Sequence, residues 1–108
     1  MPDIVDACSS EEIKAAIKIV NRTLGLRSKV GLEALWLLFK APKHTLSHQE
    51  LADRFKAPGW HFGWFCRRIA EELGDENPSE YALTDRWTAE DGTLMLTLKP
   101  SVVAAMSR

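Results

Sequence analysis

The chain has 108 residues, of which 45% are hydrophobic and 27% are charged. This composition predicts one globular domain and excludes a disordered, collagen-like or coiled-coil chain. Uncharged stretches such as the one between Glu33 and Lys40 are far shorter than the roughly 20 apolar residues of a membrane span. Residues 1–10 carry two aspartates and no basic residue, unlike a secretory signal, so we expect a cytoplasmic protein.

The formal net charge of −1 is the sum of two unlike segments. Residues 13–70 contain eleven basic and three acidic side chains, whereas residues 71–91 contain eight acidic side chains and only Arg86 as a basic one. A basic segment of this kind can attract nucleic-acid phosphates, or it can simply be a solvated surface. The sequence leaves both interpretations open.

The first predicted helix covers residues 9–25 and follows a flexible N-terminus, residues 1–8. Ser9 and Glu12 have the spacing of a capping box, and Gly25 is a suitable end. One face is apolar at the helical period, and the opposite side is basic, with Lys14, Lys18 and Arg22 spaced four residues apart. We therefore expect the apolar face to pack on the core.

A second helix is predicted over residues 28–41, from Ser28 to the residue before Pro42. It is apolar on nearly every side, which is typical of a helix at the centre of a domain. We expect Trp36 on this helix, and Trp87 further along the chain, to lie in the core.

The third predicted helix, residues 47–55, has a second capping box formed by Ser47 and Glu50. Leu46 and Leu51 have the spacing of a hydrophobic staple, and Phe55 would lie on the inner side. A connection with Pro58 and Gly59 then leads to the next helix.

The fourth predicted helix covers residues 61–73 and ends at Gly74. Its inner stripe consists of Phe62, Cys66, Ile69 and Leu73, with Phe65 on the flank. The outward side would carry His61, Trp64, Arg67, Arg68 and Glu71.

After Gly74 the period changes to that of strands. Tyr81, Leu83 and Trp87 alternate with other residues, and so do Leu94, Leu96 and Leu98. Asp91 and Gly92 favour a tight reversal, so residues 81–99 are predicted to form an antiparallel hairpin. Pro100 then opens a short helix over residues 101–107.

The segments LEALWLLFKAP, HTLSHQELADRF and HFGWFCRRIAEEL, followed by a hairpin and a short helix, resemble the winged helix-turn-helix superfamily of DNA-binding domains. The resemblance covers about the last three quarters of the chain. It implies an α+β, mostly α fold with three to four helices, a two-stranded antiparallel wing and a short C-terminal helix.

The resemblance also implies that the helix over residues 61–73 enters the major groove of double-stranded DNA, where base edges are distinguishable. Arg67 and Arg68 would contact guanine or phosphate. The other DNA-binding candidates are Lys43, Ser47, His48, Gln49, Lys56, His61 and Trp64, with Lys14, Lys18 and Arg22 as additional charges. The expected function is that of a small sequence-specific transcriptional regulator, a homodimer without a cofactor.

Two features depart from the DNA-binding pattern. The wing tip, residues 88–91, contains Glu90 and Asp91, which would repel phosphates, and Trp64 is predicted on the outer face near Trp60. The alternative is a winged-helix protein–protein interaction module with an aromatic contact patch around Trp60 and Trp64 and an acidic wing.

No motif of an enzyme or metal site is present. The sequence has no Gly-rich phosphate loop, HExxH or GxSxG. Cys8 and Cys66 are too far apart for a CxxC zinc motif and do not form a disulfide framework. We expect neither enzymatic activity nor a bound metal.

Overall fold

The computed structural model describes residues 4–23, 26–54 and 61–107. Over these residues the fold is α+β and mostly α, with a small three-stranded antiparallel sheet. The helices are α1 (Ile4–Ala7), α2 (Ser10–Thr23), α3 (Leu26–Lys40), α4 (His48–Arg54), α5 (His61–Glu72) and α6 (Pro100–Met106). The strands are β1 (Thr45–Ser47), β2 (Thr84–Thr88) and β3 (Leu94–Leu98), and a 3₁₀ turn (Pro42–His44) joins α3 to β1.

The start of α2 confirms the first capping box. The backbone N–H of Glu12 donates to Ser9 Oγ at 3.1 Å, and the N–H of Ser9 donates to Glu12 Oε1 at 2.9 Å. Ile13, Ala16 and Val20 are buried on the inner face of the helix. Local capping therefore fixes where α2 begins, and its apolar stripe fixes how it packs.

The N-terminus differs from the flexible segment expected over residues 1–8. Residues 4–7 form α1, and Val5 is fully buried. The hydroxyl of Ser101 donates to the carbonyl of Val5 at 3.2 Å, and Lys99 Nζ lies 3.4 Å from Asp6 Oδ2. These partners are more than ninety residues away in sequence, so local patterns do not reveal them.

Helices α3 and α5 pack against each other at the centre of the molecule. A Cβ at Gly31 would lie 2.4 Å from both Cβ and Cγ of Phe65, so this contact requires glycine. Phe65 is fully buried rather than on the flank of its helix, because the missing side chain at Gly31 leaves room for its ring.

The prediction that Trp36 lies in the core is wrong, since its side chain is 40% exposed. Gly31, Ala34, Leu35 and Leu38 form the buried face of α3, at spacings that place them on one side of a helix. Trp36 lies off that face, where its ring meets Phe39 edge-on at a centroid distance of 5.4 Å. Because α3 carries apolar residues on nearly every side, its sequence pattern did not show which face α5 covers.

Helix α5 buries Phe62, Cys66 and Ile69, as its apolar period predicts. It ends in a Schellman arrangement: the N–H of Gly74 donates to Glu71 O and that of Asp75 to Ala70 O, both at 3.0 Å. Gly74 has a φ of 97°, a left-handed conformation that suits glycine. The predicted end of the helix at Gly74 is confirmed.

The sheet has the order β1-β3-β2, with antiparallel neighbours. The two-stranded hairpin prediction missed β1, which is only three residues long and pairs Thr45 with Thr97 and Ser47 with Met95. Since β1 leads directly into α4, this pairing attaches the start of α4 to the hairpin.

The first strand of the hairpin begins later than predicted. Residues 81–83 form a turn in which the N–H of Thr84 donates to Tyr81 O at 3.1 Å, while Ala82 and Leu83 are buried. The strand starts at Thr84, and the turn at its other end follows the prediction: Gly92 has a φ of 86°, and the N–H of Ala89 donates to Thr93 O at 2.8 Å.

The prediction that Trp87 lies in the core is also wrong, because it is 47% exposed. Trp87 is paired with Met95, whereas the adjacent Arg86 is paired with buried Leu96. Directly paired residues share a face of the sheet, so Trp87 lies on the outer face. Its indole N–H donates there to Thr97 Oγ1 at 3.0 Å.

The core is one cluster to which α1, α2, α3, α4, α5, α6 and the sheet all contribute. In the part of the chain that the structure describes, every helix is too short or too polar to cross a membrane.

Candidate nucleic-acid interface

The outer face of α5 carries the side chains that the sequence places there. With Phe62, Phe65, Cys66 and Ile69 buried beneath, Trp64 is 44% exposed and Arg67 and Glu71 are exposed. Arg68 is partly exposed. Both arginines are therefore accessible from solvent, although their surroundings differ.

Arg68 is held by an acidic neighbour on the next turn. Its Nη1 lies 2.5 Å from Glu71 Oε2, and both side chains are partly open to solvent. Surface pairs of this kind contribute about 0–1 kcal/mol, so a phosphate can replace the carboxylate at little cost. Arg68 is thus oriented along the outer face while part of its charge is compensated.

At the start of α4, the candidate side chains are less available to a ligand than the sequence predicts. Ser47 is only 7% exposed, and its hydroxyl accepts the N–H of Glu50 at 3.0 Å. The exposed side chain of Gln49 donates to Asp53 Oδ1 at 2.8 Å. Ser47 therefore acts as the helix cap, and Gln49 remains at the surface of α4.

A ring–ring contact and a cation–π contact connect α4 to β2. The His48 ring lies 6.3 Å from that of Tyr81, and the guanidinium carbon of Arg86 lies 4.3 Å from the Tyr81 ring centroid, within the range of a cation–π contact. Arg86 is exposed. Arg86 was not among the site candidates. The sequence nevertheless contains a signal for it, since Arg86 is the one basic residue of the acidic segment 71–91 and lies in the predicted hairpin.

Lys43 lies at the 3₁₀ turn before β1 and is exposed. Lys43 and His44 have φ values of 55° and 54°, a left-handed conformation that is uncommon for residues other than glycine. Two contacts hold the His44 ring: Nδ1 lies 2.7 Å from Phe39 O, and the ring stacks on Phe39 at 5.3 Å. The turn thus has a defined shape that presents Lys43 to solvent.

Three of the predicted residues cannot be placed in the site. Lys56 and Trp60 lie outside the described residues, and His61 is described only as the first residue of α5.

The tip of the hairpin is acidic and exposed. Hydrogen bonds from the hydroxyl and the N–H of Thr93 lower the pKa of Asp91 below its usual value. The backbone nitrogen of Thr93 lies 2.9 Å from Asp91 Oδ1. Asp91 is therefore ionised at neutral pH, and Glu90 beside it is exposed as well. The tip would repel a phosphate backbone.

The cysteines do not form a reactive site. Burial raises the pKa of the Cys66 thiol, which keeps it protonated, and burial followed by the charge of Glu12 raises the pKa of Cys8. Among the described residues, histidine, cysteine, aspartate and glutamate side chains form no group of three that could hold a metal ion.

Comparisons with protein-family models, with curated proteins and with solved structures found no match for this chain.

Proposed function

We propose that this protein is a small DNA-binding regulator of the winged helix-turn-helix class that inserts α5 into the major groove. The observation that carries the proposal is the division of α5 into two faces. Its apolar side is fixed in the core, and Arg67 and Arg68 emerge from the other side. A helix fits the major groove, and arginine is the residue best suited to guanine and phosphate.

The topology supports the same class. Helices α3, α4 and α5 precede the β2–β3 hairpin, and β1 connects α4 to that hairpin through its pairing with β3. The sheet contacts α4 and α3 through β1 and β3, which supports the winged arrangement that we propose.

The proposed roles follow from the surroundings of each side chain. Exposed Arg67 contacts a base edge, and Arg68 exchanges Glu71 for a phosphate. Arg86, held over Tyr81, contributes a phosphate contact from β2. Because Asp91 is ionised, the proposal keeps the acidic tip at Glu90 and Asp91 off the duplex. His48 and Gln49 flank this surface on α4.

We also propose that the protein binds as a homodimer. A single small module buries only about 600–1,000 Å² on DNA, and two-fold pairs of modules are the common way to reach specific affinity.

The test is binding to a labelled random-sequence duplex, followed by fluorescence anisotropy between 50 and 200 mM salt. Arg68→Gln should weaken binding and reduce the slope of log K against log salt by about 1, because it removes the proposed phosphate contact, and Arg67→Gln should weaken binding by removing the proposed base contact. The matched control is Lys40→Gln, which removes the same charge from the exposed end of α3. Equal slopes for all three variants would contradict the assignment of α5.

A protein-interaction module is the second candidate, and two observations favour it: the exposed ring of Trp64 and the exposed acidic tip of the hairpin. Absence of duplex binding even at low salt would support this candidate over the first. Trp64→Ala should then abolish the association with a partner while the unfolding temperature stays the same.

A further inference from the structure

A groove separate from the α5 surface lies between α2, α3 and α6 and has a volume of about 210 Å³. Most of its lining is apolar, and the exposed Trp36 ring forms one wall. The apolar lining residues are Ile17, Leu32, Leu35, Trp36, Ala105 and Met106.

The polar lining residues all come from one edge of α2. Lys14, Lys18 and Asn21 follow one another at spacings of four and three residues, which places them along the same side of the helix. The described lining contains two cationic residues and no acidic one. Glu11, one turn before Lys14, lines a neighbouring depression together with both lysines, and Lys18 is the cation further from it along the helix.

The size of the groove limits its occupant. At about 30 Å³ for each water in the liquid, the groove corresponds to roughly seven waters, or a ligand of about seven to ten non-hydrogen atoms. A partner helix needs a groove for several side chains at once, which exceeds this volume. A two-fold contact with a second copy would bring Lys14, Lys18 and Arg22 of both chains together, and these like charges repel.

We propose that this groove binds a small amphipathic carboxylate, with its apolar body between Trp36 and Met106 and its carboxylate at Lys18 and Asn21. A largely apolar pocket with a few polar groups at one end is the usual form of a small-molecule site. The proposal does not depend on DNA binding, because it involves α2, α3 and α6 rather than the outer face of α5.

Octanoate is the probe, and octan-1-ol, which has the same chain without the charge, is its control. Titration followed by backbone amide shifts in nuclear magnetic resonance should show saturable changes in α2, α3 and α6. Octanoate should bind more tightly than octan-1-ol by about fivefold, the factor that corresponds to roughly 1 kcal/mol for an exposed ion pair.

Two variants test the two ends of the groove. Lys18→Gln should weaken octanoate binding by about fivefold and leave octan-1-ol binding unchanged. Arg22→Gln removes the same charge one turn further along α2, outside the groove lining, and should leave both affinities unchanged. Trp36→Ala should weaken both ligands, because it removes an exposed apolar wall without emptying the core.

The proposal is overturned if octanoate and octan-1-ol bind equally, if Lys18→Gln behaves as Arg22→Gln does, or if the amide shifts lie outside these three helices. Circular dichroism of each variant establishes that the fold is retained. Binding of octanoate by a protein that fails to bind duplex would leave this inference standing while the proposed function fails.

Discussion

At Gly31 the central packing of the molecule depends on a single missing side chain. Helix α3 reaches α5 so closely that a Cβ would lie 2.4 Å from two atoms of Phe65. Glycine is otherwise unfavourable inside a helix by about 1 kcal/mol relative to alanine. Glycine at position 31 therefore lowers the intrinsic stability of α3, but it allows the two central helices to approach closely.

We predict that Gly31→Ala lowers the free energy of unfolding by about 1–2 kcal/mol, since overpacking costs about 1–3 kcal/mol and the better helix former recovers part of it. Urea unfolding followed by circular dichroism measures the change. A gain in stability from Gly31→Ala would show that the two helices separate without cost.

Glu12 provides a second residue-scale prediction, which concerns pH. Hydrogen bonds from the backbone and side chain of Ser9 lower the pKa of Glu12 below its usual value. A carboxylate with a lowered folded-state pKa stabilises the fold above its unfolded-state pKa of about 4.3, and that contribution is lost as the pH falls through the folded-state value.

The difference in unfolding temperature between the wild type and Glu12→Gln should therefore be largest near pH 7 and shrink as the pH falls below about 4. Glu11→Gln, one residue earlier in the same exposed turn, serves as the control. A difference that does not change between pH 7 and pH 3 would mean that the capping box does not depend on the carboxylate charge.

At the scale of elements, two short segments gain their structure from distant partners. Strand β1 is three residues long, and the hydroxyls of Thr45 and Thr97 lie 2.8 Å apart across its pairing with β3. Helix α1 is four residues long: Asp6 contacts Lys99, the residue before α6, and Val5 contacts Ser101 in the first turn of α6. Isolated helices or strands of such length are not stable in water, so tertiary contacts must hold both.

We predict that Val5→Ala lowers the free energy of unfolding by about 1–2 kcal/mol, because it removes two buried methyl groups at about 0.8 kcal/mol each. Ala7→Ser, on the exposed side of the same helix, should change stability by less than about 0.5 kcal/mol. Chemical denaturation of both variants gives the comparison. Equal stability of Val5→Ala and wild type would place α1 outside the cooperative fold.

For the whole molecule, charge is separated along the chain, and the net charge of −1 conceals that separation. The basic residues Arg67 and Arg68 and the acidic residue Glu71 nevertheless share the outer face of α5. The balance of charge on that one face therefore matters more for binding a polyanion than the total.

If α5 meets DNA, Glu71→Gln should tighten binding to random duplex by about threefold to tenfold at low salt, since it removes a repulsion and releases Arg68. Glu33→Gln makes the same change of charge on the exposed side of α3 and should have a much smaller effect. Anisotropy titrations at two salt concentrations distinguish them. Equal effects of the two substitutions would show that duplex binding depends only on the net charge of the protein.

Local sequence determined the features that depend on neighbours within a few residues. The capping hydrogen bonds at Ser9 and Ser47, the left-handed ends at Gly74 and Gly92 and the inner stripe of α5 all follow from spacing and backbone preference. The capping and turn hydrogen bonds span at most five residues, so the sequence pattern contains both partners, and the stripe of α5 is visible as a helical period.

Only the tertiary structure decided which apolar faces are covered. Trp36 and Trp87 belong to segments rich in apolar residues, yet α5 covers the other face of α3, and the register of β2 against β3 places Trp87 on the outer face of the sheet. The turn at residues 81–83 shifts the start of that strand, and with it the face on which each later side chain lies. Where a segment is apolar on more than one side, burial depends on packing between distant segments, which periodicity within that segment does not specify.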